Sequence, residues 1–119
     1  MNAQDKLIIT DEALGAIAAI TAQSMPEVAG LEPGLVEDLS AIFGRESQSV
    51  GVAVRSDNDE IIVDLYIRVY HGYRIPDIAL RLQEKVKSAL EKYAEVIVVV
   101  VNVYVQKIVL KGRQGEKND

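Results

Sequence analysis

Cysteine and tryptophan are absent from this 119-residue chain, which holds one histidine, one phenylalanine and three prolines. Each absence removes a class of chemistry. Without cysteine there is no disulfide framework, thiolate metal site or thiol nucleophile. A single histidine, His71, falls short of the three or four ligands that zinc takes, so no metal is expected. A hydrolytic triad needs a nucleophile and an orienting acid around such a histidine. None of the serines (Ser24, Ser40, Ser47, Ser49, Ser56, Ser88) stands in a G-x-S-x-G context, and no glycine pattern of a phosphate-binding loop occurs. The acidic turn Asp57-Asn58-Asp59-Glu60 lacks the glycine and distal glutamate of a calcium loop. The longest apolar run, Val96–Val101, is far below the roughly 20 residues needed to cross a bilayer. The start, MNAQDKLIIT, has neither the basic nor the long apolar part of a signal peptide. These absences predict a cytoplasmic protein that is not an enzyme, with no catalytic residues, no cofactor and no direct membrane insertion.

What is present is enough for one core: 49% apolar and 26% charged residues. The net charge of −5 is unevenly spread, with residues 1–40 strongly acidic and residues 65–113 basic. Such halves suit complementary self-contact, although folding can equally interleave them into a mixed surface.

KLII reads as a short edge strand. TDEALGAIAAITAQS reads as a helix with Thr10 as N-cap, Asp11 and Glu12 favoured by the helix dipole, and Leu14, Ile17, Ile20 and the alanines on its apolar face. EVAGLEPG is turn-rich, with room for one short strand, and LVEDLSAIFG reads as a second helix stopped by Gly44. SVGVAVRS and EIIVDLYIRVY, joined by an acidic turn, predict an antiparallel hairpin. Ile61, Val63, Leu65, Ile67 and Val69 should face the core; Ile62, Asp64, Tyr66, Arg68 and Tyr70 should face away. YHGYR, around His71, is a strand-to-helix corner in which Gly72 supplies permissive backbone angles. IPDIALRLQEKVKSALEKY is the clearest helix, with Pro76 in its first turn and Asp77 placed to pair with Arg81. It returns the chain to a parallel strand, EVIVVVVNVYVQKIVL, whose nearly continuous apolar run suits the interior of a sheet. The predicted fold is α/β: a two-layer sandwich with a small mixed β-sheet and helices packed on one face. One domain over residues 1–110 is followed by a polar tail, 111–119.

Helices on one face only would leave Tyr66, Arg68 and Tyr70 beside Asn102, Tyr104 and Gln106 as a candidate interaction surface, since tyrosine and arginine are favoured at interfaces. The alternative is that residues 25–50 cover this face.

ITDEALGAIAAITAQSMPEVAGL, GLVEDLSAIFGRES with GVAVRS, VDLYIRVYHGYRIPDIALRLQEKVKSALEKY and VVVNVYVQKIVL, in that order, resemble the alkaline-shock protein family of Gram-positive bacteria, associated with general and envelope stress. The resemblance covers roughly residues 7–110. It implies an abundant, non-enzymatic cytoplasmic protein that forms homo-oligomers, gathers near the membrane through a membrane-anchored partner and supports cell-envelope homeostasis. Some relatives are tied to control of fatty-acid synthesis. The alternative function is a single-stranded nucleic-acid-binding or regulatory module, because tyrosines on an open sheet can stack bases. The aromatic signature of RNA-recognition domains is missing and the net charge is negative, so no nucleic acid is expected.

Overall fold

In the computed structural model, which describes residues 5, 7–33, 47–49, 51–57, 60–94 and 98–111, the longest alternating segment of the sequence is the strand at the centre of the sheet, paired with three others. In chain order the elements are α1 (Asp11–Gln23), β1 (Val28–Leu31), β2 (Ser47–Ser49), β3 (Val52–Asp57), β4 (Glu60–Tyr70), α2 (Ile75–Ala94) and β5 (Val98–Val109). One edge of β4 is shared by two antiparallel strands placed end to end: β3 runs beside Glu60–Leu65, and β1 beside Ile67–Val69. β2 pairs with the outer side of β3. The other edge of β4 takes β5 in parallel along its whole length. The result is a mixed sheet with helices on one face, the expected two-layer α/β arrangement.

The junction of β3 and β1 lies at Tyr66. Its N–H donates to the Gly51 carbonyl at 2.9 Å, and its carbonyl accepts from the Glu32 N–H, also at 2.9 Å. Gly51 can take part because it adopts φ +80°, and because a Cβ there would lie 2.6 Å from Leu31 Cβ and 2.8 Å from Glu32 N. Only glycine permits both the backbone angle and the close approach.

On the helical side, Ile61, Val63, Leu65, Ile67 and Val69 of β4 form the floor of the core, joined by Val52, Val54, Val99 and Val101. α2 buries Ile78, Leu82, Val86, Leu90 and Ala94, a single ridge of residues four apart. α1 is capped as expected, with Thr10 Oγ1 accepting from the Ala13 N–H. Its buried face holds the expected Leu14, Ala18 and Ala22 and, in addition, Gly15, whereas Ile20, expected inward, is exposed. Gly15 sits against Val54 and Val52 of β3, so small residues let the helix approach the sheet closely.

Three further expectations need correction. Residues 7–9, the described part of KLII, form no strand, although Ile9 packs against the core. β5 pairs with β4 alone among the described residues, so the apolar strand is at an edge rather than in the interior. Asp77 pairs back with Arg74, not forward with Arg81. Arg81 instead reaches Glu27, in the turn between α1 and β1. The predicted helix LVEDLSAIFG lies outside the described residues, as does the tail beyond Lys111.

Glu27 is nearly buried. The guanidinium of Arg81 holds its carboxyl below the usual glutamate pKa, helped by the backbone N–H of Glu27 and opposed by burial. Because the folded pKa is the lower one, this stabilisation is complete above about pH 4.5 and is lost as pH falls through the lowered value. Replacing Arg81 with Gln should therefore cost most stability near neutrality, with the gap to the parent narrowing below pH 4.5; urea unfolding at several pH values measures it. A gap that is the same at every pH contradicts the pairing. A second expectation concerns the two glycines with positive φ in turns. Gly72→Ala, with φ +106° and open space around it, should cost about 1–3 kcal/mol of backbone strain. Gly51→Ala should cost clearly more, because the clash with Leu31 and Glu32 is added; thermal unfolding ranks the two.

Candidate interaction face

The side chains of β4 that alternate away from the core are Ile62, Asp64, Tyr66, Arg68 and Tyr70. The parallel register sets them beside Val100, Asn102, Tyr104, Lys107 and Val109 of β5. Ala53 and Arg55 of β3 and Gly30 of β1 extend the same face. Among the described residues neither helix covers it, since both pack on the opposite side of the sheet.

Three side-chain groups organise this face. At its centre the rings of Tyr66 and Tyr104 stack, with centroids 4.8 Å apart and planes 14° from parallel. Register dictates the contact, because the two tyrosines are directly paired across β4 and β5. Tyr104 nevertheless keeps 45% of its surface exposed. Toward the start of β4, Asp64 is only 8% exposed, and both its carboxylate oxygens are engaged. Asn102 Nδ2 donates to Oδ1 at 2.9 Å, and Arg55 Nη2 donates to Oδ2 at 3.3 Å. Burying a carboxylate is tolerable because it has these partners.

Toward the end of β4, Glu32 receives two cations: Lys107 Nζ at 3.1 Å from Oε2 and Arg68 Nε at 3.3 Å from Oε1. Arg68 Nε is near enough for an ion pair but is not aligned for a hydrogen bond. The guanidinium lies over Gly30, where a Cβ would meet Arg68 Nη2 at 2.2 Å. Beyond them Lys111 Nζ stands 5.1 Å from the centre of the Tyr70 ring.

Of the six candidate residues, Tyr66, Arg68, Tyr70, Asn102 and Tyr104 are placed together by the pairing of β4 with β5. Gln106 is displaced. The register slips between Ile67 and Arg68, so Lys107 rather than Gln106 stands opposite Arg68. Sequence reasoning missed Glu32, because only the long-range pairing of β1 with β4 brings it here. The alternation of β4 already put Asp64 on this face, but nothing local announced its partners Arg55 and Asn102.

The corner at His71 holds no comparable arrangement. His71, Gly72, Tyr73 and Arg74 are exposed, and the His71 N–H donates to the Val109 carbonyl at 2.7 Å, closing the ends of β4 and β5. On the helical side Thr21, Arg81, Glu84, Lys85 and Ser88 line an open depression of about 400 Å³, in which Arg81 is already committed to Glu27. No cluster of three or more metal-ligating side chains occurs among the described residues, and no helix among them is long and apolar enough to cross a membrane.

The stack makes a quantitative prediction. A double-mutant cycle of Tyr66→Ala and Tyr104→Ala, read by urea unfolding, should give a coupling of about 0.5–1.5 kcal/mol. Additive losses would mean that the rings do not support each other.

Comparison with known proteins places this sheet in a family. The sequence profile of the alkaline-shock protein 23 family, described by a cell envelope-related function, matches residues 1–110, and the chain belongs to that family. It is similar to the uncharacterized protein Spy1614 of Streptococcus pyogenes, 29% identical over 115 residues that cover 94% of this chain and 95% of that one. The uncharacterized protein YloU of Bacillus subtilis is 30% identical over 84% of this chain and 85% of its own. Among solved structures, a substituted MamM-CTD and the copper form of MamM CTD each align with a TM-score of 0.46. They are 18% and 17% identical, cover 80% and 83% of this chain, and are themselves covered to 96%.

Proposed function

We propose that this chain is a non-enzymatic assembly or adaptor module of the cell envelope, cytoplasmic, self-associating, and docking on a membrane-anchored protein through the face built on Tyr66, Arg68, Tyr70, Asn102, Tyr104 and the neighbouring Gln106. The observation that carries the reading is an aromatic face that neither described helix covers. Its charged groups Asp64, Glu32 and Arg55 are already matched within the chain, while Tyr104 and Val100 remain exposed to another surface. A face with its charges paired and Tyr104 exposed loses little on desolvation and gains apolar contact. The envelope-related family supports placing the partner at the membrane. The nucleic-acid alternative fits less well, because each stacked tyrosine already spends one ring face on the other and the chain is acidic.

The reading predicts that the native protein, expressed in a Gram-positive host, sediments in part with the membrane fraction. Tyr66→Asp and Tyr104→Asp, if folded by circular dichroism, should move it to the soluble fraction by at least tenfold. Variants that still sediment with the membrane overturn docking through this face. Light scattering over a hundredfold concentration range tests self-association, which a monomer throughout would contradict.

A further inference from the structure

We propose that the outer edge of β5 is where a second copy of this chain pairs, antiparallel and with Asn102 opposite Asn102. The inference rests on the self-association proposed above and assigns it a location and a register.

Among the described residues β5 is hydrogen-bonded to β4 alone, so a twelve-residue strand presents one edge without a strand beside it. Proteins usually guard such an edge with charge, proline or a bulge. Here the guards are confined to the second half of the strand, where the bulge falls before Lys107. Residues 98–106 contain no charge and no proline. Exposed large apolar residues recur along the strand: Val100, Tyr104, Ile108 and, just beyond it, Leu110.

The exposed residues choose the partner. Val100 and Tyr104 lie on the same face, each two residues from Asn102. A two-fold axis through Asn102 therefore sets Val100 of one copy opposite Tyr104 of the other, and does so twice. An aromatic side chain against a β-branched one is a favourable cross-strand pair. The uncharged stretch also opposes no like charges when it meets itself. A second copy thus meets the strand with matching length, apolar contacts and charge, as an isologous interface requires. With the axis perpendicular to the sheet, the described helices of both copies fall on one side and the two tyrosine faces join on the other. One feature competes: Gln83 of α2 donates to the Val101 carbonyl at 3.2 Å, and a pairing strand must displace or bypass that bond.

The absence of cysteine makes the test direct, since an introduced thiol is the only one in the chain. Full-length Val100→Cys, Asn102→Cys and Tyr104→Cys are treated with a short thiol-to-thiol crosslinker. Asn102→Cys should link to itself. Val100→Cys and Tyr104→Cys should link at least tenfold more when mixed than either does alone. Val100→Lys, at an exposed position, should weaken the dimer at least tenfold by light scattering, whereas Tyr73→Asp, exposed at the corner between β4 and α2, should leave its dissociation constant within about threefold. Dimers that form without these crosslinks, or that survive Val100→Lys, overturn the edge pairing while leaving self-association standing. Strong self-linking of Val100→Cys equally overturns the register. A protein that stays monomeric at every concentration removes both inferences.

Discussion

The backbone of β4 is the constraint from which the rest follows. One of its edges serves two strands in succession, β3 and then β1, and the change-over is made by the N–H and carbonyl of Tyr66. That arrangement makes Gly51 abut Leu31 and Glu32, which brings Glu32 to the face where Arg68 and Lys107 await it. The other edge fixes β5 in parallel register and thereby stacks Tyr104 on Tyr66. The side chain of Tyr66 thus belongs to the open face, while its backbone joins the two halves of the sheet. A disturbance of the sheet at this residue should be felt on both levels.

The two faces of β4 solve different physical problems. The helical face is a packed aliphatic core, closed by the ridge of α2 and by the small residues of α1. The other face contains charge, but each charged group at its centre has an opposite partner from another strand: Asp64 with Arg55, and Glu32 with Arg68 and Lys107. Such pairs, each between a more exposed cation and a largely buried carboxylate, are not by themselves a strong source of stability. Their effect is to leave a nearly neutral surface on which the tyrosines stand out, the condition under which another protein can cover it without stranding a charge.

Much of this was legible because β4 keeps a strict period of two and α2 a strict helical period. Those patterns predicted the core face, the hairpin with β3 and the parallel return. They failed where the deciding fact was non-local. The valine run of β5 reads as an interior strand, because Val99 and Val101 face the core while Val100 and Tyr104 extend the opposite face; nothing in the run shows that β4 is its one described neighbour. Ile20 looked like a core residue until the closeness of α1 to β3 favoured glycine and alanine. The displacement of Gln106 depends on a one-residue bulge that no residue type announces. Glu27 and Glu32 lie far in sequence from Arg81, Arg68 and Lys107, so their ion pairs appear only once the strands are in place.

The central claim is that the sheet side of the molecule, and not its helical side, is built for another protein. Amide hydrogen exchange on the native chain at low and high concentration tests it most directly. The account predicts that protection rises with concentration in β5 while α2 is unchanged. Protection gained on the exposed face of α2, with β5 unaffected, would contradict it.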